Sequence, residues 1–264
     1  MSHVFKITRI LFPVDFSERC RGAAAYVEAM AGRFDAELVL LHVVPPATYN
    51  ALLRPHVVDT AEFDRFLGKD LKFLRVDRVI AHGEAAGQIV ECASAREVSL
   101  IMLPTQGKGV YRRLLLGSTA AKVLHDAECP VWTGVHLEAA PPLDALACRR
   151  ILCAVNLSPG NAKVLEWAHG LAAEYQAELT LLHVTDDAPE AARSHLKSLF
   201  SHADVKTTIR VEQGELSRTV ARVAHEMAAD LLVIGRKPQP GIMGRLDATG
   251  YSIIRRSPCP VLSV

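Results

Sequence analysis

Two short stretches decide the fold, RILFPVDFS at Arg9–Ser17 and RILCAVNLS at Arg150–Ser158. They lie 141 residues apart and share five of their nine residues. A second pair has the same separation: AELVLLHV at Ala36–Val43 and AELTLLHV at Ala177–Val184. Because chance does not place two such matches in one register, the chain contains a duplicated unit.

The register shifts later in the chain. HGE at His82–Glu84 matches QGE at Gln213–Glu215 at a separation of 131, and CPV at Cys129–Val131 matches Cys259–Val261 at 130. The second repeat is therefore ten residues shorter before its Gly-Glu turn, and one more residue is lost near its last helix.

Each repeat alternates apolar runs with helical segments. Arg9–Val14 is typical of a strand buried on both faces, and Ser17 is placed to cap a helix over Glu18–Phe34. A further helix is expected over Thr60–Leu74. Strands separated by helices imply parallel neighbours and right-handed crossovers. The sequence predicts an α/β fold, an open doubly wound parallel sheet in each of two domains, 1–140 and 149–264, joined by a short linker around Pro141.

Composition narrows the function classes. Half of the residues are apolar, 22% are charged and the net charge is +1. Such a balance supplies packed cores but no concentrated basic surface for nucleic acid or an anionic membrane. We expect no signal peptide, no membrane helix and a cytoplasmic location. The six cysteines form no C-x-x-C pair, so free thiols are expected.

Ligands of open α/β sheets bind at the carboxyl ends of the strands, where the strand order reverses. This rule places Pro13, Val14 and Asp15 on one rim with Val43 and the loop that follows Leu103. We expect Asp15 to accept hydrogen bonds from a ribose or from an adenine amino group.

The loop PTQGKGVYRRLLLGST, Pro104–Thr119, carries the chemistry. Gly107 lets backbone amides turn toward an anion, and Gly117-Ser118 opens a helix whose free N–H groups favour phosphate. Ser118 and Thr119 add hydroxyl donors. The alternative interpretation is a tight turn followed by an ordinary N-cap.

Taken together, I-L-x-P-V-D-F-S, L-L-H-V, G-E, G-x9-G-S and C-P-V resemble the universal stress protein family in its tandem form. The resemblance covers essentially the whole chain, once per repeat. It implies flavodoxin-like five-stranded sheets with helices on both faces. It also implies ATP or AMP, with or without Mg²⁺, in a G-x2-G-x9-G-[S/T] loop, and a stress-linked regulatory protein without strong catalytic activity.

The resemblance carries a nucleotide site onto the first repeat. The residues it implies are Pro13, Val14, Asp15, Val43, Leu103, Pro104, Gln106, Gly107, Gly117, Ser118 and Thr119. The sequence departs from the family pattern at Pro104, which stands at the first loop glycine and lacks an N–H.

The second repeat departs further, and we expect its cleft to hold no adenine nucleotide. Asn156 replaces the aspartate, Ala154 replaces the proline, and Pro238 stands at the second loop glycine. Depending on a one-residue gap, Asp247-Ala248 or Ala248-Thr249 stands at the Gly-Ser step. Asp247 would place negative charge beside a phosphate.

Two other functions stay open: a slow ATPase or nucleotide transferase, and an interaction scaffold that has lost nucleotide binding, which Pro104 would favour. Asp15 is the sole obvious carboxylate at the rim, which favours binding over phosphoryl transfer. His42 is expected to be a satisfied core histidine. The last strands, Val131–Val135 and Val261–Val264, are expected to pair as an intramolecular pseudo-dimer, with homodimers of whole chains also open.

Overall fold

A computed structural model describes residues 5–46, 60–104, 116–134, 146–157, 159–187, 189–200, 204–236 and 247–264. The chain divides into two compact units. One is Ile7–Pro141, which contains the first repeat. The other is Pro142–Val264 together with Met1–Lys6, and it contains the second repeat.

The first repeat forms a parallel sheet with strand order β3-β2-β1-β4-β5. Strands and helices alternate along the chain. Strands β1 to β3 extend the sheet on one side and β4 and β5 extend it on the other, so the strand order reverses between β1 and β4. The elements are β1 Arg9–Val14, α1 Glu18–Phe34, β2 Glu37–Val44, α2 Thr60–Arg65, β3 Val76–His82, α3 Ala85–Ala95, β4 Leu100–Pro104, α4 Ser118–Asp126 and β5 Val131–Gly134.

The second repeat has the same arrangement, with strand order β8-β7-β6-β9-β10 and parallel pairings. Each repeat is therefore a doubly wound five-stranded α/β unit, as the sequence predicts. The elements are β6 Arg150–Ala154, α5 Ala162–Tyr175, β7 Glu178–Val184, α6 Pro189–Leu199, β8 Thr207–Glu212, α7 Leu216–Glu226, β9 Leu231–Ile234, α8 Ala248–Arg256 and β10 Val261–Ser263.

The duplication extends to the helix ends. Asp35 ends α1 and Gln176 ends α5, 141 residues later, and both are in the left-handed region with φ of 48° and 53°. Their backbone N–H groups donate to carbonyls of the last helical turn, which closes each helix without a glycine.

The helix predicted over Thr60–Leu74 is too long. It ends at Arg65, because Leu67 adopts a left-handed φ of 55° and the chain then turns. Phe66, Leu67 and Leu71 are nevertheless buried. The apolar spacing that suggests a longer helix is used instead by a compact turn that covers the core.

The N-terminal segment packs on the helix α5 of the second repeat. The ring of Phe5 lies edge-on to Trp167 with centroids 5.0 Å apart. It also lies on the backbone of Gly170, where an added Cβ would stand 2.2 Å from Cγ of Phe5. A glycine is therefore required at this position for the ring to approach.

Candidate functional site

The carboxyl ends of β1, β2 and β4 form the rim that the sequence predicts. Pro13 lies beside Leu41, and Val14 lies beside His42, in the β1–β2 register. On the other side β1 pairs with β4 through Ile10–Leu100. The chain leaves the sheet at Asp15 after β1, at Pro104 after β4, and beyond Val43 and Val44 on β2.

The turn after β1 holds the Asp15 carboxylate. Asp15 Oδ1 accepts a hydrogen bond from the Ser17 backbone N–H at 3.0 Å and another from the Cys20 thiol at 3.1 Å. Phe16, which lies between Asp15 and Ser17 in the chain, has a φ of 59°, a conformation that a bulky residue rarely adopts. Strain of this kind persists where surrounding contacts impose it, and it is concentrated at functional sites.

Aromatic packing holds Phe16 in that conformation. Its ring centroid lies 4.5 Å from the His42 ring and 5.0 Å from the Phe66 ring, and Phe63 completes the cluster. Sequence reasoning missed this cluster, because the phenylalanines come from a segment far along the chain from Phe16. The cluster lies directly beside the turn that presents Asp15.

His42 is satisfied, as predicted. Its Nδ1–H donates to the Val14 carbonyl at 2.9 Å. His183 makes the same contact with Val155 in the second repeat, also at 2.9 Å. Both histidines tie the second strand of the repeat to the end of the first, so their role is structural.

The N-cap residue of helix α4 has no side chain that could accept a hydrogen bond from the first turn. Gly117 is its N-cap, with φ −62° and ψ 150°, and the Ala121 N–H donates to the Gly117 carbonyl at 2.8 Å. The first turn contains no acidic residue, and Ser118 is exposed. The N–H groups that precede the first helical hydrogen bond are those that bind anions at a helix N-terminus.

Helix α8 begins differently. Its N-cap is Asp247, whose Oδ1 accepts a hydrogen bond from the Gly250 N–H at 2.8 Å. Since α4 starts after Gly117 and α8 after Asp247, the two caps are 130 residues apart, and Asp247-Ala248 stands at the Gly117-Ser118 step. A carboxylate of the chain itself therefore caps the N-terminal amides of α8.

The turn after β6 also differs from its counterpart. Asn156, at the position of Asp15, is exposed. Asn161, at the position of Cys20, is buried, and its Nδ2 has no hydrogen-bond partner among the described residues. The donor and the acceptor that meet in the first repeat are thus separate in the second.

Of the other predicted residues, Thr119 lies in the first turn of α4 and is half-buried. Leu103 and Pro104 end β4, and both are buried. Gln106 and Gly107 lie outside the described residues, and so does Pro238 of the second repeat.

Glu84 and Glu215 cap the helices that follow the Gly-Glu turns. Glu84 accepts from the Gly87 N–H at 2.9 Å, and this bond lowers the pKa of its carboxyl. Glu215 accepts from the N–H and the hydroxyl of Ser217, which lowers its pKa likewise. Both residues serve their helices, which leaves Asp15 as the carboxylate that the described part of the rim presents.

The six cysteines, all of which lie in the described residues, form no disulfide, as predicted. Burial raises the pKa of the Cys20 thiol to about 12, with a further contribution from the Asp15 charge. Burial also raises the pKa of Cys153 to about 12. Within the described residues, no group of three or more His, Cys, Asp or Glu side chains is arranged to hold a metal ion, and no helix could span a membrane.

Comparison with known proteins gives one consistent result. The sequence model of the universal stress protein family matches residues 6–133, 147–204 and 190–264. A universal stress protein of Methanocaldococcus jannaschii is 27% identical over 135 residues, which cover 47% of this chain and 79% of that protein. One of Mycolicibacterium smegmatis is 25% identical over 280 residues, with 94% and 93% covered.

The fold comparison agrees. The crystal structure of a universal stress protein from Archaeoglobus fulgidus superposes with a TM-score of 0.80 at 22% identity and covers 98% of both chains. Since the family model matches most of the sequence in both repeats, the chain belongs to the universal stress protein family, in its tandem form.

Proposed function

We propose that this protein is an adenine-nucleotide-binding regulator that holds ATP or AMP in its first repeat, and that the second repeat is a partner without a nucleotide site. The observation that carries the proposal is the contrast between Gly117 and Asp247 at equivalent helix N-termini. One leaves the N-terminal amides of its helix to an external anion, and the other caps them from within.

The phosphate end of the ligand is assigned to α4. A phosphate gains from the N-terminal amides of a helix and from the helix dipole, and Gly117 offers no side chain in its way. The exposed Ser118 hydroxyl is a further donor. A Mg²⁺ ion would accompany the phosphates with most of its water shell, a mode that needs few protein ligands.

The adenosine end is assigned to the turn after β1. Asp15 is half-buried, and its carboxylate is held at Oδ1 by two donors. A carboxylate can accept hydrogen bonds from ribose hydroxyls or from an adenine amino group. The side of Val43 on β2 supplies an apolar wall for the base in this proposal.

Binding without rapid turnover fits the rim better than catalysis. Phosphoryl transfer requires a metal-holding carboxylate, a positioned base and cations on the transferred group. Asp15 is the carboxylate that the described part of the rim presents, and its proposed role is to accept hydrogen bonds from the adenosine end of the ligand. A multiple-turnover assay of phosphate release tests this part, and a turnover on the order of 1 s⁻¹, as in kinases, would establish an enzyme instead.

Calorimetry with ATP and with AMP tests the binding itself, and we expect one site per chain. Gly117→Val should abolish binding, because its side chain fills the space that the phosphates need. Gly32→Ala is the matched control, since nothing lies within 4 Å of the added Cβ, on a helix away from the rim.

Three outcomes would contradict the proposal. Absence of binding by the wild-type chain favours the scaffold. If Gly117→Val binds ATP with the affinity of the wild type, the phosphates do not bind at the N-terminus of α4. A second equivalent site shows that Asp247 does not exclude the ligand. The cytoplasmic location and the association of the repeats and of whole chains stay predictions.

A further inference from the structure

We infer that Cys20 is a positioning residue for the nucleotide site: its thiol fixes the Asp15 carboxylate in the orientation that receives the adenosine end of the ligand. This inference rests on the proposed function. It assigns an effect on nucleotide affinity to Cys20, a buried core residue that the ligand does not contact directly.

The first step is the geometry of the thiol. Cys20 Sγ lies 3.1 Å from Asp15 Oδ1, whereas the alternative acceptor, the Pro13 carbonyl, is 4.0 Å away. The carboxylate is therefore the better acceptor. Because burial and the Asp15 charge raise the pKa of this thiol to about 12, it remains a protonated donor throughout the physiological range.

The second step is what holds the thiol itself. Cys20 is 2% exposed, in the first turn of α1, and its backbone N–H donates to Ser17 Oγ at 3.4 Å. Its position is set by the packing of the helix on the sheet. Asp15 begins the turn and is only half-buried, whereas Cys20 is buried in a helix, so we assign the orientation of the carboxylate to Cys20.

The third step is the second repeat, where the same device is missing. Asn161 stands at the position of Cys20, yet its buried Nδ2 has no partner among the described residues, and Asn156 is exposed at the position of Asp15. The buried Asn161 Nδ2 is a potential donor at this place in the fold, yet the side chain of Asn156 does not turn inward to accept from it. The first repeat has both halves of the pair, and it is the repeat with the uncapped α4.

A fixed carboxylate improves binding because the ligand does not have to order it. Rigid presentation reduces the entropy lost on association. Removing the thiol takes away one of the two donors to Asp15 Oδ1 and weakens the restraint on the carboxylate torsion. We expect Cys20→Ala to weaken ATP about three- to tenfold, the equivalent of one hydrogen bond of modest strength, and Cys20→Ser to restore affinity to within about twofold, since a hydroxyl donates in the same place.

The experiment measures the ATP dissociation constants of the wild type, Cys20→Ala, Cys20→Ser, Asp15→Ala and the double variant Asp15→Ala/Cys20→Ala in the full chain. Thermal unfolding of each is recorded, and binding is measured well below the transition. Cys153→Ala is the matched control: it also removes a fully buried thiol, but in the second repeat. It should leave the affinity unchanged.

A positioning role predicts that Cys20→Ala has no further effect once Asp15 is alanine. A purely structural role predicts the same loss in both backgrounds and no rescue by serine. The inference fails if Cys20→Ala binds ATP like the wild type, or if the two losses add. It fails together with the proposed function if the wild-type chain binds no nucleotide, so the wild-type measurement tells the two failures apart.

Discussion

The N-termini of α4 and α8 lie at equivalent positions in two copies of one fold, yet their N-cap residues treat the free backbone amides of the first turn differently. Gly117 has no side chain with which to satisfy them, whereas Asp247 satisfies one of them with its own carboxylate. In the proposed function the first arrangement keeps a phosphate site at a small cost in helix stability, whereas the second stabilises the helix with a cap and offers no such site.

The comparison extends along the rim. In the first repeat the carboxylate of Asp15 accepts from Cys20, while in the second Asn156 is exposed and the buried Asn161 Nδ2 has no partner among the residues that the structure describes. The core strands and the histidine contacts are the same in both repeats. Duplication has therefore preserved the scaffold and altered the residues that a ligand would touch.

The largest expected effect comes from moving the second repeat's cap into the first. Gly117→Asp should weaken nucleotide binding at least about 100-fold, because each charge-assisted hydrogen bond to a phosphate contributes about 1.5–3 kcal/mol. The variant should stay folded, since φ −62° and ψ 150° suit aspartate as an N-cap. Calorimetry measures the loss.

Gly117→Asn separates charge from capping in this test. It caps the helix without a charge and should retain more affinity than aspartate. Wild-type affinity in Gly117→Asp would show that the two helix ends do not account for the difference between the repeats.

A second difference between the repeats lies on their first helices. Ala29 of α1 is the counterpart of Gly170 of α5, the residue on whose backbone Phe5 packs. Gly170→Ala should lower the free energy of unfolding by about 1–3 kcal/mol, as overpacking does. In a Phe5→Ala background the clash is gone, and the same change should be neutral or stabilising by about 0.5–1 kcal/mol, as expected for alanine in a helix.

Denaturant unfolding of the wild type, Gly170→Ala, Phe5→Ala and the double variant gives the coupling free energy between the two positions. Ala29→Gly is the control, and it should cost about 0.5–1 kcal/mol whether or not Phe5 is present. If Gly170→Ala costs the same in both backgrounds, Phe5 does not rest on the helix.

The next effect concerns the Asp247 cap alone. Asp247→Ala should destabilise the second repeat by about 0.5–2 kcal/mol, as loss of an N-cap does. It should not create a nucleotide site, because Asn156 still replaces the aspartate after the first strand. Amide exchange of α8 measures the loss of stability, and calorimetry with ATP measures the number of nucleotide sites. A second binding site in this variant would show that Asp247 alone excludes the nucleotide from the second repeat.

The smallest effect is a difference in acid sensitivity. Hydrogen bonds from Arg210 and then Arg222 lower the pKa of Glu212, and those from Arg222 and then Arg210 lower the pKa of Glu226. A carboxyl with a lowered folded-state pKa stabilises the fold at neutral pH, and this contribution disappears as the pH falls below the ordinary value of 4.5 toward the folded-state pKa.

The loss should therefore be larger in β8 and α7 than in β3 and α3, where Glu84 is the described glutamate with a lowered pKa. It should be modest, since exposed ion pairs are screened. Protection factors for amide exchange between pH 6 and pH 3 measure it, with Arg222→Gln as the control that reduces the difference. Equal loss in both repeats would contradict the prediction.

Much of the fold follows from local sequence. Strand β1 and helix α1 have the bounds that apolar runs and caps predict, and helix α4 begins at Ser118, after Gly117, as the sequence indicates. Prediction goes wrong at the helix after Thr60, where the spacing of apolar residues is right but Leu67 turns the chain. Periodicity reports which side chains are buried, and it does not report the backbone conformation that buries them.

By itself the sequence determines the duplication, the order of strands and helices, the rim and the Gly117-Ser118 step, because these depend on residues that are neighbours along the chain. Only the tertiary structure decides that Asp247 caps α8, that Cys20 holds Asp15, and that Phe5 packs on Gly170. Each of these depends on a distance or an angle between groups that the packing brings together, and side-chain orientation at a turn is fixed by its surroundings and not by its own residue type.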